Sequence, residues 1–391
     1  MLENAASAPM LEQVLAWSAI NSGSANLAGL ARMGEVLSGA FSALPGEVAL
    51  VEGDPVEQID AAGQVDLVRN GRNLHLVVRP EAPVQLLLTG HMDTVYPVGH
   101  PFQETRWIEP RTRLNGPGVA DMKGGLAVLL AALGAIEQDP AARNLGYDVV
   151  INSDEEIGSG GSAGLIRRAA AGKRAALTYE PALPSGMLAG ARPGTGNFSL
   201  VVTGRAAHAG RNPEDGRNAI VAAADLAVRL AALRRPGLSV NPARIDGGGP
   251  NNIVPDKAVL RVNLRPHDLA VQSEASVAIG RIVEDVSKVH DVVIDTRGGF
   301  GRPPKPVDAR AEKLFDIVRE CGAQLGLEIA WQATGGVCDG NNIAACGVPV
   351  VDTMGVRGGA IHSPNEFLIV ESLVERAQLS ALVLLKLADG A

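Results

Sequence analysis

Aromatic residues and cysteines are both scarce in this sequence of 391 residues. Phe, Tyr and Trp together make up 3% of the chain, so its hydrophobic cores must consist mainly of Ala, Val, Leu and Ile. The three cysteines are Cys321, Cys338 and Cys346, and their odd number and spacing fit neither a disulfide framework nor a cysteine-based zinc motif. We therefore predict small buried cysteines in a reducing compartment.

The sequence also lacks a basic run, a signal-type N-terminus and a long apolar segment. Lys and Arg number 35 against 43 for Asp and Glu, a net charge of −8, which argues against nucleic acid as a partner. Residues 1–11 contain no Lys or Arg, and no apolar core of a signal peptide follows them. The most apolar stretch, residues 124–136, is shorter than the roughly 20 residues of a membrane span. These absences predict a cytoplasmic protein that binds neither nucleic acid nor membranes.

Short apolar runs alternate with helical patterns in the first half of the chain, which predicts an α/β fold with a mainly parallel central sheet. Residues 84–88, 147–151 and 177–179 are predicted strands, and residues 126–137 form a predicted helix rich in Ala and Leu. Sites in such sheets lie beyond the carboxyl ends of the strands. The polar residues that follow these strands are therefore expected to converge.

The pattern changes after Pro193, where strands with one exposed face alternate with two helices. The predicted strands are residues 198–202, 258–264 and 292–295, and the predicted helices are residues 219–233 and 277–289. This order predicts a small α+β sandwich inserted into the larger domain. We assign residues 1–191 and 304–391 to a discontinuous catalytic domain and residues 192–303 to the insertion, with the proline-rich residues 303–306 as a stiff hinge.

A histidine and an aspartate, His91 and Asp93, follow the first predicted strand. Residues two apart on an extended chain point to the same side. Such a carboxylate can hold the imidazole ring while the other ring nitrogen binds a metal. Taken alone, the pair also fits a loop histidine beside a capping aspartate.

Acidic residues recur in two further segments. Asp121 lies in the glycine-rich residues 115–125, where glycine lets the backbone approach a ligand closely, although an N-cap of the following helix is the plainer interpretation. Glu155 and Glu156 follow the strand at residues 147–151. Adjacent carboxylates repel, and a cation at one would leave the other free to act as a base. An exposed acidic turn is the alternative.

Glu180 follows the third predicted strand, and His362 lies in a second glycine-rich segment, residues 358–363. Each is a weak signal by itself. Together, two histidines and several carboxylates at strand ends form the mixed nitrogen and oxygen set of a catalytic zinc site. Two metals about 3.5–4 Å apart need a bridging carboxylate, and Asp121 is the natural choice.

With these residues the sequence resembles the M20 family of zinc peptidases, and within it the carboxypeptidase G2-like (glutamate carboxypeptidase) branch. The order of the motifs agrees from His91 to His362, and the strongest are GHMDTV at residues 90–95 and DEEIGS at residues 154–159. The resemblance implies a zinc-peptidase-like catalytic domain with two Zn²⁺ per chain, for which Co²⁺ can substitute. The implied metal ligands are His91, Asp121, Glu156, Glu180 and His362.

The resemblance also implies how these residues divide the work. Asp121 would bridge the metals, with His91 and Glu156 on one zinc and Glu180 and His362 on the other. Glu155 would be the general base. Asp93 would orient His91.

The inserted region resembles the lid or dimerisation domain of the family. Residues 203–210 are similar to a lid loop whose histidine, here His208, reaches the active site of a neighbouring subunit. The resemblance implies substrate-binding roles for Asn252 and Arg265. It implies the same for Arg302, in a Gly-Arg-Pro segment that supplies an arginine to a substrate carboxylate in glutamate-cleaving members. A homodimer formed through the lid domain follows from the same resemblance.

Two segments depart from the pattern of that branch. Residues 183–192 contain no Lys to serve as a second carboxylate clamp, and Arg192 is the candidate replacement. Val337, Cys338 and Asn341 stand where smaller or hydroxylic residues are expected. Both departures concern the identity of the substrate and leave the metal site unchanged.

The sequence therefore predicts a metal-dependent hydrolase that cleaves an amide bond next to a free carboxylate. The leading interpretation is a carboxypeptidase that releases C-terminal glutamate from peptides or N-acyl (folate-type) conjugates. The alternative is a deacylase of N-acyl amino acids, of the acetylornithine or succinyl-diaminopimelate type, which would use the same metal site. A non-catalytic binding protein is disfavoured because every ligand position and Glu155 carry competent residues.

Overall fold

The computed structural model describes residues 1–390. Its helices are α1 (Leu2–Ser7), α2 (Met10–Ser18), α3 (Leu27–Phe41), α4 (Gly125–Ile136), α5 (Ala163–Ala170), α6 (Ala219–Ala231), α7 (Leu269–His290), α8 (Ala309–Gln324), α9 (Asp339–Ala345) and α10 (Glu371–Ala388).

The first ten strands are β1 (Glu47–Val51), β2 (Val56–Ile59), β3 (Val65–Val68), β4 (Asn73–Val78), β5 (Val84–His91), β6 (Arg106–Glu109), β7 (Arg113–Asn115), β8 (Leu145–Asn152), β9 (Ala175–Thr178) and β10 (Leu188–Ala189). The others are β11 (Thr195–Thr203), β12 (Ala207–His208), β13 (Leu238–Gly247), β14 (Ile253–Val254), β15 (Lys257–Pro266), β16 (Val293–Arg302), β17 (Trp331–Gln332), β18 (Val350–Val351), β19 (Gly358–Gly359) and β20 (Phe367–Ile369).

The central sheet has the order β1-β4-β8-β5-β9-β18 within residues 1–390. The pairings β8–β5, β5–β9 and β9–β18 are parallel, whereas β4 runs antiparallel to β8 and β1 antiparallel to β4. This arrangement confirms the predicted α/β fold with a mainly parallel sheet. The antiparallel strands β1 and β4 extend one edge of the sheet.

The sheet is covered on both faces because alternate residues of its strands point in opposite directions. Leu86 and Leu88 of β5 join the large core formed with α1, α2, α3, α4, α8 and α10. Leu87, between them, joins a smaller core with residues of α5 and α9. Burial on both sides explains why β5 and β8 consist almost entirely of buried residues.

Helix α4 lies in the middle of the larger core. The segment Val119–Ile136, which includes it, is long and apolar enough to span a membrane by length and composition alone. In the fold, 89% of that segment is buried inside the protein. Its apolar composition is therefore that of a core helix packed against α10 and α1.

The inserted region forms a second layered unit with its own core. Its antiparallel sheet has the order β13-β15-β11-β16 within the described residues, and α6 and α7 cover one face. The Asn218 side chain caps α6 by accepting from two backbone N–H groups, and Asp268 caps α7. The capped start of α7 at Leu269 lies before the predicted helix at residues 277–289, which is therefore too short.

The hairpin of β2 and β3 belongs to the N-terminal part of the chain but covers the other face of the inserted sheet. Arg261 of β15 donates from Nη2 to the carbonyl oxygens of Ile59 and Asp60, at 2.8 and 3.1 Å. At the tip of the hairpin, Gly63 has a φ of +79°, and a Cβ there would lie 2.6 Å from a methyl group of Val201. Only glycine fits this close approach with this backbone conformation.

Candidate metal centre

Three neighbouring parallel strands end at the same edge of the central sheet. His91 is the last residue of β5, the segment with Glu155 and Glu156 follows β8, and Glu180 follows β9. Because β5 pairs with both β8 and β9, these side chains converge as the sequence predicted. Asp121 and His362 reach the same place from two loops outside the sheet.

Asp121 lies between the two histidines. Its Oδ1 is 3.1 Å from Nε2 of His91, and its Oδ2 is 3.2 Å from Nε2 of His362. One carboxylate therefore presents a separate oxygen to each histidine. This is the arrangement that a carboxylate shared by two cations requires.

The remaining two carboxylates divide between the histidines. Glu180 Oε2 lies 3.8 Å from His91 Nε2, and Glu156 Oε2 lies 3.1 Å from His362 Nε2. The expected pairing of Glu156 with His91 and of Glu180 with His362 is thus reversed by these closest approaches. The reason is topological, since Glu180 follows the strand next to β5, whereas the His362 loop approaches from the side of Glu156.

The chemistry of this cluster fits a divalent cation. Potential ligand atoms of His91, Asp121 and Glu156 lie within 4.8 Å of one another, as do those of His91, Glu155 and Glu180. Burial and the nearby Asp121 carboxylate raise the pKa of Glu156 to about 7, and burial raises the pKa of Glu180. Carboxylates buried this close together need positive charge to stay ionised, and a cation supplies it.

Asp93 organises the segment after β8 as well as His91. Its backbone oxygen is 3.0 Å and its Oδ1 3.4 Å from Nδ1 of His91. The same carboxylate accepts from the backbone N–H groups of Glu155 and Glu156, at 3.1 and 3.2 Å, and from the hydroxyl of Ser24 at 2.7 Å. One fully buried side chain therefore fixes the candidate ligand His91 relative to the predicted base Glu155.

Glu155 points into a buried environment shared with Arg302. Burial raises the pKa of Glu155 well above its ordinary value, and the Arg302 guanidinium only partly opposes this effect. Nη2 of Arg302 lies 2.8 Å from Oε1 of Glu155 and donates to the backbone oxygen of Glu155 and the hydroxyl of Ser159. Arg302, expected to bind a substrate carboxylate, is 5% exposed and is directed at the predicted base instead.

A cavity of about 270 Å³ opens beside the cluster. Its walls include the cluster residues Asp121, Glu155, Glu156, Glu180 and His362, and also Arg192, Thr334, Gly336, Val337 and Cys338. The described wall residues of this cavity do not include Arg302, Arg265, His208 or Asn252. The departures from the family pattern at Arg192, Val337 and Cys338 therefore face the space that a substrate would occupy.

Arg192, in the wall of this cavity, is held in place by an ion pair. Its Nε and Nη2 donate to the two carboxylate oxygens of Asp352, at 2.7 and 3.2 Å. Lys305 Nζ lies 2.9 Å from the same carboxylate, so two cations share one buried anion. Sequence reasoning did not single out Asp352 or Lys305, although Asp352 follows strand β18 as the other site residues follow theirs.

The predicted lid residues lie elsewhere. His208 and Asn252 are exposed and adjacent, since β12 pairs with β14 and Ala209 donates from its backbone N–H to the Asn252 carbonyl. Arg265 is also exposed and donates to the backbone oxygen of Gly335, next to the cavity wall. The chain by itself does not bring His208 or Asn252 to the metal ligands.

The fold and this cluster are those of a metal-dependent peptidase. The chain belongs to Peptidase family M20/M25/M40, which residues 87–386 match. It is 32% identical to carboxypeptidase G2 of Pseudomonas sp. (strain RS-16) over 82% of this chain and 78% of the relative. It is 29% identical to succinyl-diaminopimelate desuccinylase of Rhodospirillum centenum, over 71% and 74% of the two chains.

A tripeptidase from Staphylococcus aureus has the same fold, with a TM-score of 0.73 at 24% identity over 97% of this chain and 98% of that one. The family membership confirms that the chain is a metallopeptidase-type hydrolase. Its relatives include both a carboxypeptidase and a deacylase, as the sequence analysis left open.

Proposed function

We propose that this enzyme holds two zinc ions and removes a C-terminal glutamate from peptides or N-acyl conjugates. The observation that carries the proposal is a single cavity lined both by metal-type ligands and by a fixed arginine. His91 and Glu180 would hold one ion and His362 and Glu156 the second, with Asp121 shared. When bound, such ions lower the pKa of a water molecule and polarise a carbonyl group.

Three side chains would have separate roles in the reaction: a base, a group that orients other residues and a group that binds the substrate carboxylate. Glu155 would take the proton of the attacking water and deliver it to the leaving amine nitrogen. Asp93 would hold His91 and the segment of Glu155 in fixed positions relative to each other. Arg192 would pair with the free carboxylate of the substrate, because its ion pair with Asp352 holds the guanidinium in place and Lys305 offsets the charge of Asp352.

The proposal extends to the inserted domain. Residues 192–303 would be a lid and dimerisation domain, through which the cytoplasmic enzyme forms a homodimer. His208, Asn252 and Arg265 would contact substrate after lid movement or from the partner subunit. The exposure of His208 and Asn252 supports this division, since neither is committed to a contact with the metal ligands of its own chain.

A deacylase of N-acyl amino acids is the second candidate. The similarity to a succinyl-diaminopimelate desuccinylase favours it, and the cavity arginine would serve the free carboxylate of that substrate class equally well. Metal ligands cannot distinguish the two activities because both require the same cluster.

The test is a hydrolysis screen of the purified enzyme loaded with Zn²⁺ or Co²⁺, together with metal analysis by mass spectrometry. C-terminal Glu, Asp and neutral residues on peptide and folate-type acyl groups would be compared with N-acetyl and N-succinyl amino acids. We expect about two metals per chain and the highest kcat/KM for C-terminal glutamate. Preference for N-acetyl or N-succinyl substrates would reject the carboxypeptidase in favour of the deacylase.

A further inference from the structure

Glu366 is a buried carboxylate that sits directly behind the Asp121 loop. Its side chain is 1% exposed. Oε1 accepts from the backbone N–H groups of Ala120 and Asp121, at 3.0 and 3.1 Å. Oε2 accepts from the backbone N–H of Gly118 and the hydroxyl of Tyr96, at 3.2 and 3.0 Å. Four donors on one carboxylate stabilise a single conformation of the loop that carries Asp121.

The same residue belongs to the segment that carries His362. The single hydroxyl proton of Tyr96 is shared between the carbonyl oxygen of Ser363, at 2.8 Å, and Oε2 of Glu366. Asn115 Nδ2 donates to the carbonyl of Glu366 at 2.6 Å. The adjacent strand pairing of β20 with β7 continues this connection. Glu366 therefore ties together the two loops from outside the central sheet that supply cluster residues.

His362 is much less enclosed than the other histidine of the cluster. Its side chain is 53% exposed, whereas that of His91 is 1% exposed. The position of His362 relative to Asp121 thus depends on the connection between their loops, and Glu366 makes four hydrogen bonds within that connection. An alternative is that Glu366 merely satisfies buried N–H groups and contributes to folding alone.

We propose that Glu366 is a positioning residue that sets the spacing between Asp121 and His362, and thereby the affinity of the metal held by Asp121, Glu156 and His362. This inference rests on the proposed two-metal function. It assigns the residue no contact with metal or substrate. Outer groups that orient metal ligands typically change metal affinity by about 10–100-fold when they are removed.

Glu366→Gln is the informative variant because it preserves shape. Only one oxygen of the amide can accept from the loop, and the NH₂ group must then face a backbone N–H donor, either that of Gly118 or those of Ala120 and Asp121. We expect the loop to shift away from His362. Tyr96→Phe is a milder variant that removes one donor to Glu366 and the link to Ser363.

The matched control is Glu137→Gln. Glu137 is also a largely buried carboxylate that accepts from a tyrosine hydroxyl, that of Tyr147, and it pairs with Arg79 away from the cluster. This control should lower thermal stability without changing metal binding. A purely structural role of Glu366 would produce the same pattern.

The experiment is a titration of metal-free protein with Co²⁺, followed by the visible absorption bands that report cobalt coordination. We expect two equivalents to bind to the wild type. In Glu366→Gln one of the two affinities should fall about 10–100-fold with altered bands, and in Tyr96→Phe it should fall less. Glu137→Gln should match the wild type.

Each outcome separates the two proposals. Fewer than two cobalt sites in the wild type would reject the two-metal function. Two wild-type sites with unchanged affinities and bands in a folded Glu366→Gln variant would overturn the role of Glu366. If that variant does not fold, Tyr96→Phe decides, and unchanged cobalt binding in Tyr96→Phe overturns the proposal.

Discussion

The predicted active-site residues fall into two groups with opposite surroundings. In the catalytic domain, His91, Asp93 and Glu155 are buried and held by several hydrogen bonds or ion pairs. In the inserted region, His208 and Asn252 are exposed, and the pairing of the short strands β12 and β14 places them next to each other. The first group is already assembled within a single chain, whereas the second lies away from the cluster and would need a movement or a second chain to act there.

This difference is consistent with two requirements of such a site, a fixed geometry around the reacting groups and an opening through which the substrate enters. Groups that bind metal or transfer protons require fixed geometry, and the sheet edge supplies it. Groups that only close over a substrate have to leave an opening through which it enters. The variants below test this division, beginning with the largest expected effect.

Glu155→Gln should abolish most of the activity while leaving the fold and metal content unchanged. We expect kcat to fall about 10²–10⁴-fold or more, because the amide cannot accept the proton of the attacking water. Steady-state kinetics with parallel metal analysis would measure this. Near-normal turnover would show that Glu155 is not the base. The buried group of residues would then not include the group that transfers the proton.

His208→Ala should lower kcat about 10²–10³-fold if the histidine stabilises the developing oxyanion. To decide whether it acts from the partner subunit, inactive Glu155→Gln and His208→Ala chains would be unfolded and refolded together. Random pairing should restore about a quarter of the sites, because one site of each mixed dimer combines both intact residues.

The controls are the two variants refolded separately, which should stay inactive. Chromatography must demonstrate that mixed dimers are present. If such a preparation recovers no activity, His208 acts within its own chain or has no part in the reaction.

Arg192 and Arg302 should respond differently to replacement by Met. Arg192→Met should raise KM about 10–100-fold for substrates with a free carboxylate and much less for their methyl esters. Arg302→Met should instead lower kcat for acids and esters alike, because its guanidinium contacts Glu155. If Arg302→Met instead raises KM only for the acids, Arg302 binds the substrate carboxylate, as the sequence resemblance implied.

Asp148→Asn should have no effect on catalysis and a pH-dependent effect on stability. Burial alone would raise the pKa of Asp148, but its hydrogen bonds with His75 and Lys173 hold the pKa below the ordinary value. A carboxyl group whose pKa is lowered in the folded state stabilises it above its unfolded pKa of about 3.9, and this contribution disappears as the pH falls toward the folded pKa.

We therefore expect urea unfolding of the metal-free variant to show a lower free energy than wild type at pH 7, by about 1–3 kcal/mol. The difference should shrink below about pH 4. Asp225→Asn, at a partly exposed ion pair with Arg229 in the inserted domain, is the control and should show a smaller loss. A constant difference across pH would mean that packing rather than charge dominates.

The strand-end residues were predictable because a local pattern determines them. An apolar run predicts where β5, β8 and β9 end, and parallel pairing then brings His91, Glu155 and Glu180 together without further information. The inserted sandwich was predictable for the same reason, from strands with alternating burial around capped helices.

The remaining features depend on contacts between distant segments. Which carboxylate lies nearest each histidine depends on the path of the His362 loop, which sequence does not reveal. Glu366 lies 245 positions from Asp121 in the sequence. Its carboxylate accepts from backbone N–H groups, which every residue except proline has, so no residue type in the Asp121 loop indicates the contact. Arg302 was recognised as a functional arginine, but its target depends on how the last strand of the inserted sheet enters the catalytic domain.

The β2–β3 hairpin changes the mechanics of any lid motion. The two chain crossings between the domains are bonded to each other, since the backbones of Arg192 and Lys305 exchange hydrogen bonds, so together they act as a single pivot. The hairpin contacts the inserted sheet at a second place, where Arg261 donates to the carbonyl of Ile59. At the base of the hairpin, Arg69 donates to the carbonyl of Gly53. Any rotation of residues 192–303 about this pivot would therefore have to break the Arg261 contacts or carry the hairpin along.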